Sequence, residues 1–491
     1  MKVYIQAFLI FFLLIFISCG QAPQAGSDPV TKSLEYQSWE TTQQPEGTAA
    51  YLGLGSSAKV LCTAVFASNR DPEEAFTNSG KIILAEEFAR DAAYEINFET
   101  KQVFIFLGDS VRRSATYVGD QGCIIDSPEG LKFTPVDVIS SLLPADSLDW
   151  PMGDKLTGSL NTYSSELLDS VNAAAFNPKA LTAAFLVIHK GNIILEQYDQ
   201  GVDRNTQLES WSMGKSLTAT LIGRLIQMGK LSLEQKAPVK EWQREGDPRG
   251  EITIRNLLNM SGGLRFPAHR DPEVKVPLAL LAHMYIYTEA INVFDFAVNR
   301  PLEFVPGSTG LYRNCDPLTL GYIFRTIVES EGRNYFTWPQ EELFDKIGIR
   351  RQLLETDPYG NFIMTGFDYG TARNWGRLGL LYLQDGMWQG ERLLPEGFVG
   401  FVSTPAPGWS EPIYGGLFWL NGTGALSVPR DAFYMAGGGG QKTIIVPSLD
   451  LVVVRMGHSD GSTYADDSLN EALEKIVRLV STAKESGTTD N

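Results

Sequence analysis

Strand patterns on both sides of a helical middle most constrain what this chain can fold into. Residues 182–201 predict two strands that a turn at Lys190-Gly191-Asn192 joins. The other signals are three strands at 413–421, 441–447 and 450–457, and helices at 164–176 and 468–480. We therefore predict an α+β fold. An antiparallel sheet, built from both ends of this region and flanked by helices, would border a mainly helical second lobe across a cleft.

Ser212 and Lys215 lie three residues apart where a long amphipathic helix begins. At this spacing both side chains share one helical face and can reach each other. Serine becomes a nucleophile when a base takes its proton, and a lysine partly buried at a helix N-terminus can be neutral enough to do so. An N-cap serine beside a surface lysine would have the same spacing, so the rest of the chain must decide.

The same S-x-x-K spacing occurs twice more, at Ser56 and at Ser481. Ser56 precedes residues 60–66, which predict a strand that would direct its lysine elsewhere. Ser481 lies near the end of a long helix, before a polar tail. Only Ser212 begins a helix with a core-facing apolar stripe. Of the three, we therefore take Ser212 as the candidate nucleophile and Lys215 as its base.

Length and composition set the broad class of the protein. With 491 residues, the chain has material for two or three domains and a large core. A net charge of −17 argues against nucleic acid or anionic lipid as the main partner. The four histidines are scattered, and no cysteine or histidine spacing suggests a metal site. We predict no metal and no organic cofactor.

The first residues indicate export. Lys2 is followed by a mostly apolar run that is short for a membrane span, so residues 1–18 predict a secretory signal peptide. The run ends at small residues around Cys19, which resembles a bacterial lipobox and implies lipid attachment to the Cys19 thiol. Residues 19–45 are rich in Gln, Pro and Ser and predict a tether. We expect an exported bacterial lipoprotein, periplasmic or membrane-anchored; an ordinary cleaved signal and an uncleaved anchor are the alternatives.

Residues 46–150 predict a small N-terminal accessory subdomain in which no catalytic motif is evident. Its strand patterns surround a short helical pattern at 81–89 and lie at 60–66, 92–98, 102–108 and 113–125. Cys62 and Cys123 could form a disulfide in an oxidising compartment, although two buried thiols would look the same. At the other end of the chain, residues 486–491 predict a polar tail.

Two further motifs suggest chemistry that the rest of the chain does not support. Residues 457–461 match the G-x-S-x-G nucleophile elbow, yet no histidine follows His458 to complete a triad. Residues 437–443 superficially match a phosphate-binding loop. However, Gln441 stands where that motif needs glycine, and a strand follows in place of a helix. We predict a turn in the first case and no nucleotide binding in the second.

Tyr312-Arg313-Asn314 lies in a Pro/Gly-rich loop that runs into a helix. On extended backbone the tyrosine and the asparagine project to one side. The phenol could relay a proton, and the amide could hold a lysine or a substrate carbonyl. Tyr359-Gly360-Asn361 has the same spacing, so the tripeptide alone is not specific. Residues 437–440 are all glycine, and their exposed N–H groups could stabilise an oxyanion or form a bulge.

Taken in chain order, these pieces resemble the serine β-lactamase/DD-peptidase superfamily, in particular its class C-like β-lactamase-related serine hydrolases. The signature of that superfamily is S-x-x-K, then a Ser- or Tyr-based second motif, then K-T-G or a variant on a late strand. Here WSMGKS, Tyr312-Arg313-Asn314 and AGGGGQKTIIVPSLDLVVVRMG match in order. The resemblance implies a β-lactamase/DD-peptidase-like fold for a hydrolase domain at residues 151–485.

The third motif departs from the antibiotic-recognising members. Residues 432–438 read Ala-Phe-Tyr-Met-Ala-Gly-Gly and contain no lysine. In those members this lysine helps to bind the substrate carboxylate. Its absence favours the branch that resembles 6-aminohexanoate-dimer hydrolases and β-lactamase-like carboxylesterases.

The resemblance implies a serine hydrolase that acts through an acyl-enzyme on a small ester or amide. Ser212 would attack the carbonyl while Lys215 takes its proton, directly or through Tyr312, which then protonates the leaving group. The N–H groups of Ser212 and of the strand near Gly437 and Gly438 would hold the oxyanion.

In this scheme Asn314 would orient the lysine or the substrate, and the expected partner is a small molecule. A β-lactamase or DD-carboxypeptidase is the first alternative. A non-catalytic, lipid-anchored binding protein of the same fold is the second. The oligomeric state is not predicted.

Overall fold

A computed structural model describes residues 45–157, 163–268, 277–459 and 461–486. The predicted signal peptide, Cys19 and nearly all of the predicted tether lie outside the described residues. So do residues 487–491 of the predicted tail.

The first part of the described chain is a long helix packed on a four-stranded antiparallel meander, in the order β1-β2-β3-β4. Its elements are α1 Ala49–Phe66, α2 Pro72–Ala75, α3 Glu86–Ala89, β1 Ala92–Asn97, β2 Gln102–Leu107, β3 Val111–Tyr117 and β4 Cys123–Ile125. The strands predicted at 92–98 and 102–108 are confirmed, whereas the pattern at 113–125 corresponds to β3 and β4 with a 3₁₀ turn at Gly119–Gln121 between them. The strand predicted at 60–66 is wrong, because these residues form the second half of α1. Their β-branched and apolar side chains are buried all around that helix, and tertiary packing overrides local propensity.

Helix α1 lies between two hydrophobic cores. Leu52 and Val60 belong to the main core of the protein, whereas Leu54 and Leu61 belong to the smaller core over the meander. By length and composition α1 could cross a membrane, yet 78% of it is buried inside the protein, which is typical of a core helix.

A disulfide between Cys62 of α1 and Cys123 of β4 ties the helix to the meander, with Cα atoms 6.0 Å apart. Such bonds are typical of oxidising compartments.

The main sheet has six strands in the order β12-β13-β14-β15-β5-β6, and every neighbouring pair is antiparallel. Its strands are β5 Thr182–His189, β6 Asn192–Tyr198, β12 Trp419–Leu420, β13 Phe433–Gly437, β14 Gln441–Val446 and β15 Leu451–Gly457. Lys190 and Gly191 have φ values of 51° and 77°, as the predicted tight turn between β5 and β6 requires. Because β5 pairs with β15, the two ends of the region share one sheet and the predicted α+β fold is confirmed.

Helices cover the sheet and build the second lobe. Helix α10 packs on β14, β15 and β5, α12 packs on α4, and α9 of the helical lobe packs on α5, α6 and α8. The bounds are α4 Ser165–Ala175, α5 Gly214–Gln227, α6 Ile254–Leu258, α7 Ala282–Thr288, α8 Val293–Val298, α9 Cys315–Ser330, α10 Ala372–Leu383, α11 Phe398–Val402 and α12 Tyr464–Ser486.

Two small sheets complete the described secondary structure. A three-stranded sheet has the order β7-β9-β8, and a two-stranded sheet pairs β10 with β11. The strands are β7 Leu208–Glu209, β8 Leu353–Leu354, β9 Asp368–Gly370, β10 Met387–Trp388 and β11 Glu391–Arg392. The three-stranded sheet positions the site, because β7 ends three residues before Ser212.

Candidate active site

Ser212 lies in a tight turn between β7 and α5. Ser210 N donates to Asp368 O at 2.9 Å, which extends the pairing of β7 with β9, and a 3₁₀ turn over Trp211–Met213 then leads into α5. Trp211 has a φ of 48°, a left-handed conformation that is unusual for a bulky residue. Gly366 makes room for it, since a Cβ at Gly366 would lie 2.8 Å from Trp211 O. The turn leaves Ser212 partly exposed.

Lys215 lies one helical turn beyond the serine and is 1% exposed. Its Nζ is 3.1 Å from Ser212 Oγ and donates to Thr365 O at 2.8 Å. Burial lowers the pKa of Lys215 well below its usual range, and the nearby Asp368 carboxyl opposes this shift only in part. A lysine that loses its proton more easily is suited to accept the proton of Ser212, and the role of Lys215 as the base stays a prediction.

Tyr312 borders the same site through its ring. Lys215 Nζ lies 4.9 Å from the centroid of the Tyr312 ring. The ring stacks on Trp419 at 5.2 Å and meets Tyr414 edge to face at 5.9 Å. Tyr312 of the second motif therefore places its aromatic ring beside the lysine, and Trp419 and Tyr414 pack against that ring.

Asn314 is fully buried and reaches Lys215 only through other residues. Its Nδ2 donates to His283 O at 2.7 Å and to Tyr287 Oη at 3.2 Å. Tyr287 Oη in turn donates to Thr365 Oγ1 at 2.5 Å, and Thr365 O is the acceptor for Lys215 Nζ. Asn314 thus fixes helix α7 and the loop that holds the lysine.

The glycine run meets the backbone of the nucleophile at the end of β13. A Cβ at Gly437 would lie 2.0 Å from Ser210 O and 3.1 Å from Ser212 N. A Cβ at Gly438 would meet only the ring of Trp211, at 3.6 Å. Glycine at 437 allows the end of β13 to lie against the Ser212 N–H, and these are the two segments expected to hold the oxyanion.

The contact of Gly437 with the serine turn predicts different outcomes for two neighbouring alanine substitutions. Gly437→Ala should lower kcat for the hydrolysed substrate by about 10²–10³-fold, the cost of losing an oxyanion donor, because its methyl group must displace β13 or the serine turn. Gly438→Ala is the matched control: alanine keeps the backbone N–H that could face the oxyanion, and its methyl group makes an ordinary contact, so activity should stay near wild type. Equal activity of the two variants in steady-state kinetics would contradict this role of Gly437.

Asp368 is a buried carboxyl behind the serine turn. It accepts a hydrogen bond from Ser210 Oγ, and its Oδ1 lies only 2.3 Å from where a Cβ of Gly214 would stand. Burial raises the pKa of Asp368 to about 7, which the hydrogen bond from Ser210 partly offsets. Its charge acts on Lys215, so β9 contributes to the electrostatics of the site.

Comparison with known proteins identifies the family of this chain. Residues 171–477, well over half of the chain, match the protein-family model Beta-lactamase. The chain belongs to the β-lactamase family. It is a hydrolase of the β-lactamase fold, as the resemblance of its motifs indicated.

Solved structures of the β-lactamase fold align with most of this chain. A Bacillus anthracis protein assigned as a 6-aminohexanoate-dimer hydrolase is 21% identical, with a TM-score of 0.50, and the match covers 74% of this chain and 91% of the other. EstCE1, a hydrolase with promiscuous acyltransferase activity, is 14% identical, with a TM-score of 0.50, and the match covers 64% of this chain and 100% of the other. At these identities the likeness shows the fold.

In this β-lactamase-family protein, sequence reasoning missed the groups that hold Lys215 from behind. Thr365, Tyr287 and Asp368 belong to none of the three signature motifs, and each reaches the site through tertiary contacts. The one available signal was Asp368 itself, an acid within the mostly apolar stretch Ile363–Tyr369. A buried acid of this kind favours a functional or paired role.

Proposed function

We propose that this protein is a serine hydrolase that forms an acyl-enzyme with a small ester or amide. The observation that carries the proposal is the buried Lys215 Nζ, 3.1 Å from Ser212 Oγ and with a lowered pKa. A serine beside a partly neutral amine is an activated nucleophile. The family membership supports the same chemistry.

The reaction has two acyl-transfer steps. Ser212 Oγ bonds to the substrate carbonyl carbon as its proton moves to Lys215 Nζ. The N–H of Ser212 and the end of β13 at Gly437 hold the carbonyl oxygen as it becomes negative, and each such donor lowers the barrier by roughly 3 kcal/mol. The proton then passes to the leaving alcohol or amine, from Lys215 or by way of Tyr312. In the second step, water attacks the acyl-enzyme carbonyl carbon and gives up a proton to Lys215. The bond to Ser212 Oγ then breaks, and Ser212 recovers its proton as the acid is released.

Two features favour an acyl group without a carboxylate. Residues 432–438 of the third motif contain no lysine, and Ala436 lies within them. The lysine opposite it across the strands, Lys442, is paired with Asp466 at 2.6 Å. The stacked rings of Tyr312 and Trp419 form an aromatic wall that suits an apolar acyl or leaving group. The similarity to a 6-aminohexanoate-dimer hydrolase supports a linear amide among the candidate substrates.

Covalent labelling tests the nucleophile. A fluorophosphonate probe should modify the full-length protein once, and peptide mapping should place the adduct on Ser212. Ser481→Ala is a suitable control because Ser481 is an exposed serine on α12 that shares the S-x-x-K spacing, and this variant should label like wild type. An unlabelled wild-type protein would contradict the proposed function and favour a binding role.

A substrate panel separates the hydrolase classes. We expect turnover of p-nitrophenyl butyrate or of short linear amides to exceed turnover of nitrocefin. Fast nitrocefin turnover would instead identify a β-lactamase, and a stable adduct of Ser212 with fluorescent penicillin would identify a DD-carboxypeptidase.

A further inference from the structure

Three buried cations of the N-terminal segment, residues 45–126, each meet an acidic residue of the hydrolase part of the chain. Lys59, Arg70 and Arg113 are 2%, 4% and 4% exposed. Charged side chains are almost never buried this deeply unless they are paired. The pairing therefore indicates what the segment contributes to the rest of the protein.

Lys59 of α1 faces Glu355, which directly follows β8. Its Nζ lies 3.3 Å from Glu355 Oε2, and both side chains are buried. Thr63 of the same helix donates to Glu355 Oε1, and Cys123 N donates to that oxygen at 3.0 Å. Lys59 Nζ also donates to Cys123 O. The disulfide between α1 and β4 thus fixes the two elements that enclose this carboxyl.

Arg70 faces Glu209, the last residue of β7. Its Nη1 donates to Glu209 Oε2 at 3.1 Å, and Ser79 of the same segment donates to the other oxygen. Arg70 also pairs with Glu74 of its own segment at 2.6 Å, so it is shared by two carboxylates. Three residues after Glu209 the chain reaches Ser212. This ion pair therefore holds the strand from which the nucleophile turn departs.

Arg113 of β3 faces Glu289, which directly follows α7. Two parallel hydrogen bonds join them, at 3.0 Å and 2.8 Å. Helix α1 also lies against the end of α7, since a Cβ at Gly55 would be 2.7 Å from Thr288 O. Helix α7 carries Tyr287, which connects Asn314 with Thr365 behind Lys215.

We propose that residues 45–126 are a positioning element of the active site, whose buried cations Lys59, Arg70 and Arg113 neutralise three carboxylates on the elements that hold Ser212 and Lys215. The role extends to the electrostatics of the general base and, in that part, rests on the proposed function. Without these cations, the strands behind the nucleophile would contain unpaired buried charge.

The charge state behind Lys215 follows from these pairs. Burial lowers the pKa of Lys59 and raises that of Glu355, and in either arrangement of the proton the pair has no net charge. Glu355 acts electrostatically on Asp368, which acts on Lys215. The other titratable groups that face this region are Tyr312 beside Lys215, Asp357 and Tyr369 beside Glu355, and Glu74 and His458 beside Glu209.

The test is a charge-balance cycle in the full-length protein, using Lys59→Met, Glu355→Gln and the double variant. Net negative charge behind Lys215 favours its protonated form. Lys59→Met should therefore move the acidic limb of the pH profile of kcat/KM to higher pH, and Glu355→Gln should move it to lower pH. Each shift should be about half to one pH unit, the size expected from one net charge that is separated from Lys215 by other residues. The double variant should return close to wild type in both its pH limb and its melting temperature.

Opposite shifts of the acidic pH limb in the two single variants indicate positioning by charge. A merely structural contact would lower activity in both single variants without shifting their pH limbs in opposite directions. Shifts in the same direction, or a double variant no better than the singles, would overturn the proposal. Arg113→Met, Glu289→Gln and their double variant repeat the melting-temperature part of the cycle for the bidentate pair. Arg112→Met is the matched control, because Arg112 and Glu95 form an exposed pair on the same segment.

The melting temperatures of these variants test the buried charge pairing independently of activity. Wild-type protein without Ser212-dependent hydrolysis would contradict the proposed function. In that case, recovery of the melting temperature in the double variant would still support the buried charge pairing, and no recovery would overturn it.

Discussion

Ser212→Ala should lower kcat for ester hydrolysis by about 10⁴–10⁶-fold, the range seen when a catalytic nucleophile is removed. The serine is partly exposed and contacts the Nζ of Lys215, so its loss leaves no large cavity. Alanine is also the best helix former next to the start of α5. The fold should therefore be unchanged. Steady-state kinetics with p-nitrophenyl butyrate gives the loss of activity.

Circular dichroism and thermal unfolding provide the control for this variant. A melting temperature close to that of wild type, together with lost activity, assigns the effect to chemistry. Activity above about one tenth of wild type would be far too high for loss of a nucleophile and would contradict the role of Ser212.

Lys215→Met should lower kcat by about 10³-fold or more, because it removes the base that accepts the Ser212 proton. Methionine fills a similar buried volume without an ionisable group. Lys215→Arg should not restore activity, since a guanidinium stays protonated and cannot act as the base. An active Lys215→Met variant would show that another group takes the proton.

The pH dependence of the wild-type enzyme follows from the lowered pKa of Lys215. Activity should rise with pH as Lys215 loses its proton, with a limb below the ordinary lysine value of 10.5. This limb should be absent from the residual activity of Lys215→Met. A flat wild-type profile across the region below that value would contradict Lys215 as general base.

The same shift links Lys215 to stability. Between its lowered pKa in the folded protein and its ordinary value in the unfolded chain, the unfolded state binds more protons, so the free energy of unfolding rises with pH. Lys215→Met lacks this dependence. Its stability relative to wild type should therefore increase as pH falls through that window, which denaturant unfolding at several pH values can measure.

Much of the fold was predictable because its signals are local. The turn between β5 and β6, the buried strands β14 and β15, and the helices beside them follow from patterns within a few residues. The error at residues 60–66 has a physical cause. Apolar, β-branched side chains suit a strand and also a helix buried on all sides, and only the two cores around α1 decide between them.

The candidate site also has residues that the sequence predicts and residues whose roles depend on tertiary contacts. Ser212 and Lys215 share a helical face by spacing alone, and Tyr312 and the glycine run belong to recognisable motifs. The role of Asn314 was only partly predictable. Its amide holds Tyr287 and helix α7 and reaches Lys215 through Thr365, because the partners of a buried side chain depend on which segments fold against it.

The sequence by itself determined the order of the motifs, and with it the family and the candidate nucleophile and base. Only the tertiary structure decided why Lys215 has a lowered pKa and which buried charge pairs residues 45–126 form with the rest of the chain. Burial and charge pairing are properties of the assembled fold. Thr63 and Glu355 are 292 residues apart in the chain and become hydrogen-bond partners only when α1 packs behind the nucleophile.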